Sequence, residues 1–135
     1  MIARISGMDG DRLAELIAEY TEVVEARPGS WRVGYRDRVV FIVADAAHDR
    51  LRMMTPIEEE DRLAADDLRT LLAANFDRAL DARYALADEF LWSVFMHPLR
   101  DLTERLFLEA LEQVTALADN YGGSYSSSDV FFAAE

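Results

Sequence analysis

The chain has 135 residues and a mass of 15.3 kDa, which is one domain's worth of polypeptide. It is 51% hydrophobic and 30% charged, with 26 acidic residues against 14 basic ones, all of them Arg, for a net charge of −12. Such a charge is repelled by nucleic acid and anionic membrane, the lack of Lys excludes a Schiff base or a phosphate-loop lysine, and zero Cys excludes disulfides, thiolate zinc sites and thiol catalysis.

A first helix is expected over Asp9 to Ala26. Leu13, Leu16, Ile17, Tyr20, Val23 and Val24 recur at three- and four-residue steps. Asp9 or Asp11 can cap it, and Pro28-Gly29-Ser30 ends it. The period then changes to two. Trp31, Val33 and Tyr35 alternate with Arg32, Gly34 and Arg36, which predicts a half-buried strand. Arg36-Asp37 turns the chain into Val39-Val40-Phe41-Ile42-Val43, apolar on both faces and so a central strand. Asp45 to Asp49 make a polar turn, and Arg50 to Thr55 return as a third strand of an antiparallel meander.

Thr55-Pro56-Ile57-Glu58 reads as a helix start, with Thr55 as cap and Pro56 at the first helical position. The acids Glu58 to Asp61 then complement the helix dipole, and Asn75 ends the helix. Ala79 to Ala87 and Phe90 to Met96 form a hairpin turning at Asp88-Glu89. Pro98 opens a last helix to about Tyr121. Its stripe of Leu99, Leu102, Leu106, Ala110, Val114 and Leu117 is widened by Phe107, Leu108 and Leu111, and Gly122-Gly123 ends it. The order α-β-β-β-α-β-β-α predicts an α+β domain, an antiparallel sheet with helices on one face, over residues 1–123. A Ser-rich tail follows over 124–135. No apolar run approaches the roughly 20 residues of a membrane span. Met1 to Met8 carries one Arg and no long apolar stretch, unlike a secretory leader. A soluble cytoplasmic protein without a cofactor is expected.

The polar inventory offers few sites. His97, four residues before Asp101, has the spacing of a general base and its orienter, but no nucleophile has a recognisable setting nearby. Closing a strand and capping a helix is the simpler role for His97. Asp45, His48 and Asp49 form a D-x-x-H-D cluster whose carboxylates and imidazole suit zinc or manganese. Asp-rich turns also arise for backbone reasons alone. Gly7 and Gly10, Gly29 and Gly34, and Gly122-Gly123 match no phosphate-binding fingerprint. Arg32, Arg36, Arg38, Arg50 and Arg52 cluster on the meander as a basic stripe, fit either for an anionic partner or for pairing with the surplus acids. One helical layer cannot cover both faces of an apolar sheet. A second copy or a partner segment is the expected remedy, with the first helix and Val130-Phe131-Phe132 as the internal alternative.

Several phrases in order resemble a known group. They are Val40-Phe41-Ile42-Val43, Arg50-Leu51-Arg52-Met53-Met54-Thr55-Pro56-Ile57, Leu71-Leu72-Ala73-Ala74-Asn75-Phe76, Ala82-Arg83-Tyr84-Ala85-Leu86, Leu91-Trp92, His97-Pro98-Leu99 and Tyr121-Gly122-Gly123. Together, over about Ser30 to Tyr121, they resemble the YbjN-type bacterial sensory transduction regulators. Those proteins are similar in fold to type III secretion chaperones of the Tir-chaperone kind. The resemblance implies a small acidic non-enzymatic α+β protein, often a homodimer, that binds a protein partner. No catalytic residue carries over. The expected partner surface is Phe41, Trp92 and Val94 or the last helix, with Arg32 and Arg36 adding specificity.

Overall fold

The computed structural model describes residues 7–127. The cover expected from Val130-Phe131-Phe132 lies outside the described residues, as does most of the Met1–Met8 segment. Along the chain run α1 (Gly10–Tyr20), β1 (Glu22–Arg27), β2 (Ser30–Tyr35), β3 (Arg38–Asp45) and β4 (Arg50–Glu59). A 3-10 turn (Glu60–Arg62) leads to α2 (Ala65–Asp77), β5 (Arg83–Ala87), β6 (Phe90–His97) and α3 (Glu104–Asp119). The strands make one six-stranded antiparallel sheet in the order β1-β2-β3-β4-β6-β5.

Both two-residue hairpins form where expected. Arg36-Asp37 and Asp88-Glu89 all take positive φ, as the right-handed twist of the flanking strands requires. Gly29 turns β1 into β2 at φ +76°, and a Cβ there would sit 3.2 Å from the Ala44 carbonyl oxygen. Trp31, Ile42, Met53 and Phe95 pair in register across four strands and face the helices. They join Leu13, Leu16 and Ile17 of α1, Leu71 and Ala74 of α2 and Phe107, Leu111 and Val114 of α3 in one core. All three helices therefore lie on one face. Of the elements they touch, α1 meets β1, α2 meets β5, and α3 crosses β4, β6 and β5.

The α+β class and the helical layer agree with the sequence pattern, but four helix boundaries move. The first helix stops at Tyr20, and the last residues assigned to it become β1. Thr21 leaves the helix with extended backbone, its amide and hydroxyl both donating to the Ile17 carbonyl. Val23 and Val24 fit the helical stripe by spacing, but β-branched residues beside an open strand edge favour a strand instead: Val23 pairs with Val33 of β2, and Val24 falls at the bulge that follows.

The second helix starts at Ala65, not at Thr55. Thr55 caps nothing: its hydroxyl donates to the Val39 carbonyl at 2.8 Å, inside the sheet. Pro56 sits in β4 where the ladder slips between Pro56 and Glu58, a bulge that tolerates a residue without an N–H. Glu58 and Glu59 end β4, while Glu60 and Asp61 lie in the 3-10 turn, so none of these acids serves a helix dipole. That work falls to Asp66 and Asp67, and the Asp67 carboxylate accepts from the Ala64 amide. α2 also runs past Asn75 to Asp77.

The last helix starts at Glu104 under a Thr103 cap, six residues after Pro98. Residues 98–103 are instead tied to the β3–β4 loop. Leu99 and Arg100 amides donate to the Asp49 carbonyl and carboxylate, and Leu99 and Leu102 are buried. The broad stripe of α3 is spent inside the molecule. Phe107, Leu111, Val114 and Leu117 are fully buried between the sheet and its neighbours, so this stripe belongs to the core.

Two buried hydroxyls test this packing. Tyr84 donates to the Leu117 carbonyl at 2.8 Å, and burial pushes its phenol pKa well up. Ser93 is fully buried with no hydrogen-bond partner among the described residues. We expect Tyr84→Phe to cost about 1–2 kcal/mol in urea unfolding, since it orphans a buried carbonyl. Ser93→Ala should be neutral or slightly stabilising, and a loss as large as that of Tyr84→Phe would show that Ser93 has a partner.

Candidate partner-binding site

The face turned away from the helices carries no layer from residues 7–127. Strand pairing aligns one row across all six strands: Glu25, Arg32, Phe41, Met54, Val94 and Arg83. A second row places Val39 opposite Gly34, and Pro56, Trp92 and Ala85 in line. A third aligns Ser30, Val43, Arg52 and Met96. The face is mostly apolar and partly wet. Met96 is 58% exposed, Val39 46%, Phe90 37% and Val43 36%. Exposed apolar residues grouped on one face make it a candidate interaction site.

Aromatic packing fixes its centre. The Trp92 indole N–H donates to the Ala87 carbonyl at 2.7 Å, which pins the ring over the hairpin. Phe41 and Phe90 meet it edge-on at centroid distances of 5.9 and 6.2 Å. A side chain already held in one rotamer loses less entropy when a partner packs on it.

Of the five residues expected at the partner surface, the sheet brings four together. Arg32, Phe41, Trp92 and Val94 share the open face, with Val94 sunk to 7% exposure between Met54 and Arg83. Arg36 does not belong to it. It sits at the β2–β3 turn and pairs with Glu112 of α3 at 3.1 Å. Arg38 also turns to the helical side, bonding Asp119 at 2.8 Å. The Arg stripe thus divides by strand parity: Arg32, Arg50 and Arg52 lie on one face, Arg38 on the other. Tyr35 joins Arg36 at Glu112, and burial together with that carboxylate raises its pKa.

Sequence reasoning missed Met54, Pro56, Val39, Val43, Met96 and Arg83. Each falls on the same parity as Phe41 or Trp92, but parity helps only once the register is known. It also missed a second apolar surface. On α2, Leu72 and Phe76 are four residues apart and 70% and 89% exposed. They stand beside a groove of about 300 Å³ lined by Leu68, Tyr84, Leu86 and Leu91. Asn75 docks this helix: its side chain donates to the Tyr84 carbonyl and accepts from the Tyr84 amide, at 3.0 and 2.8 Å. The Leu-Leu-x-x-Asn phrase therefore clamps α2 to the edge of β5.

The candidate chemistry does not assemble. His97 Nδ1 donates to the Pro98 carbonyl at 2.9 Å and its ring stacks on Phe95, while no hydrogen bond or ion pair joins it to Asp101. His48 donates from Nδ1 to Asp45 at 2.8 Å, which lowers the Asp45 pKa. Asp49 instead caps the Arg100 amide, so the three do not converge, and among the described residues no group of three or more ligands does. Among the described residues, no helix is long and apolar enough to cross a membrane.

No protein-family model matches the chain, and no curated protein matches its sequence. Solved structures do match it. A chain of the HopA1–SchA chaperone–effector complex superposes with a TM-score of 0.62 at 12% identity, over 79% of this chain and 87% of that one. A chain of the Yersinia pestis type III secretion chaperone SycH in complex with a stable fragment of YscM2 gives 0.61 at 17% identity, over 82% and 96%. A chain of the ExsC–ExsE complex gives 0.56 at 16% identity, over 83% and 92%. The fold is that of the type III secretion chaperones. At these identities the likeness concerns the fold alone, and these structures lend no support to the resemblance to the YbjN-type proteins.

Because Asp45 and His48 already satisfy one another at an exposed turn, zinc or manganese should leave the melting temperature unchanged, and His48→Ala should shift stability by less than about 0.5 kcal/mol. A melting temperature raised by the metal and restored to baseline by His48→Ala would reinstate a metal site.

Proposed function

We propose that this chain is a non-enzymatic protein-binding module of the chaperone or adaptor kind, which holds a partner segment against the open face of its sheet. The observation that carries this reading is the apolar centre of that face, Phe41, Met54, Trp92 and Met96, left without cover by residues 7–127. The fold neighbours support it, because they include a chaperone–effector complex and a chaperone bound to a protein fragment. A partner segment that buries this face gains about 25 cal/mol per Å² of apolar surface removed from water. We place the activity in the cytoplasm. A regulatory role of the YbjN type would use the same face.

We also propose a homodimer, built at the α2–β5 corner. Phe76 is a projecting knob and the neighbouring groove is a hole, on one surface of one molecule. A twofold interface needs that self-complementarity. Asn75 occupies the Tyr84 backbone groups at this edge, so the contact is side-chain packing and not strand addition at that residue. A dimer there leaves the open face free for the partner.

Two measurements check this. Light scattering should give about twice the 15.3 kDa chain mass, and Phe76→Asp should return it to monomer with little change in the fold. A wild-type monomer at micromolar concentration would defeat the dimer. Separately, Phe41→Asp with Met54→Asp should abolish retention of the co-purifying partner while Phe76→Asp keeps it. Equal retention by the Phe41/Met54 variant would place the partner elsewhere.

A further inference from the structure

We infer that the partner segment on the open face is acidic as well as apolar, and that Arg52 and Arg83 recognise its carboxylates; this rests on the docking reading above and names the chemistry of its occupant. The inference comes from where the charges lie. The chain carries 26 acids against 14 Arg. Yet in the three rows of the open face, the positions on β3, β4, β6 and β5 hold no acid at all. They hold Arg52 and Arg83 among apolar residues.

Most of the described Arg residues already face a carboxylate. Arg12, Arg27, Arg32, Arg36, Arg38, Arg62 and Arg105 each lie within 4.0 Å of one. Arg52 and Arg83 have no ion pair among the described residues. Arg52 stands opposite Met96 and Val43, and Arg83 opposite Val94. Only β6 lies between β4 and β5, so their columns are two strand spacings apart, about 10 Å. Arg83 is also steadied, its Nε donating to the Leu80 carbonyl at 2.9 Å, which leaves the outer edge of the guanidinium for a ligand.

The shape between them suits an extended segment. The Gln113 side-chain oxygen accepts from the Asp81 and Ala82 amides at 2.8 and 3.0 Å and draws the chain toward α3 just before β5 begins. β5 therefore starts opposite Val94, and Phe95 to His97 of β6 pair with β4 alone. The result is an open notch of about 430 Å³ lined by Asp81, Arg83, Val94, Met96, His97 and Leu106, the Asp81 carboxylate being held by the Gln113 side-chain amide, which donates to it at 3.2 Å. A strand-like segment can lay apolar side chains on Val94 and Met96 and carboxylates on the flanking Arg52 and Arg83. Elsewhere the molecule is acidic and repels such a segment, so the same charge pattern orients it onto this face.

The test replaces Met96 with the photo-cross-linking residue p-benzoylphenylalanine, irradiates cells that carry the gene natively, and maps the adduct by mass spectrometry. We expect an adduct in another protein, within a stretch of about ten residues that mixes apolar side chains with net negative charge. Arg52→Glu with Arg83→Glu should cut the adduct yield at least tenfold, while Arg105→Glu, on the helical side, leaves it unchanged. A neutral or basic stretch, or a yield indifferent to the double reversal, overturns the acidic partner and leaves the docking face standing. An adduct on a second copy of this chain overturns it by making the face a self-interface. A folded protein that yields no adduct sinks the docking reading itself.

Discussion

One helical layer covers one face of a six-stranded sheet, and the rest of the molecule follows from that inequality. Strand side chains alternate between faces, so every strand that sends Ile42 or Met53 into the core sends Phe41 or Met54 the other way. α1, α2 and α3 share the inner side. The broad apolar stripe of α3 has a use there, because the helix lies across β4, β6 and β5 and is buried on much of its circumference. An ordinary antiparallel sheet with one solvated face alternates apolar and polar residues. Here β3 and β6 are largely apolar on both faces, and β4 adds Met54 and Pro56 to the open one, which leaves a wet, mostly apolar surface in place of a polar one.

The charge distribution responds to the same two-sidedness. Acids of α3 meet Arg residues from the inner parity and from the β2–β3 turn: Asp119 with Arg38, Glu112 with Arg36. Glu104 at the start of α3 takes Arg12 of α1 and the Tyr20 hydroxyl, whose pKa that carboxylate pushes up to about 12. These pairs are largely exposed and contribute little to stability individually. Their consequence is compositional. Carboxylates of α3 lie on the helical side, while Arg52 and Arg83 on the open face have no ion pair among the described residues.

Much of the fold is legible in the residues because its signals are local. Arg36-Asp37 and Asp88-Glu89 are two-residue turns between runs of β-branched and aromatic residues, and both hairpins form there. Asp9 caps α1 as its type suggests, bonding the Arg12 amide at 2.8 Å. The failures occur where a local signal competes with a distant partner. Val23 and Val24 fit a helical stripe and a strand equally well, and only the free edge of β2 decides between them. Thr55-Pro56 has the form of a helix start, yet pairing of β4 with β6 carries the strand past it and absorbs the proline in a bulge. Pro98 opens no helix because Asp49, far away in the chain, holds the following amides.

The candidate site shows the same division. Composition alone removed cysteine and lysine chemistry, and the excess of apolar strand residues led to the expectation of a partner. Phe41, Trp92 and Val94 were identifiable as strand residues of one kind. That they share a face with Arg32, Arg52 and Arg83, and that Arg36 does not, depends on the register of six strands drawn from distant parts of the chain. A shift of one residue in any pairing would send that strand's side chains to the opposite face. The amino-acid sequence by itself determined which residues are apolar, where the hairpins turn and what chemistry is missing. Only the tertiary structure decided which side each residue takes, because a face is a property of strands placed side by side.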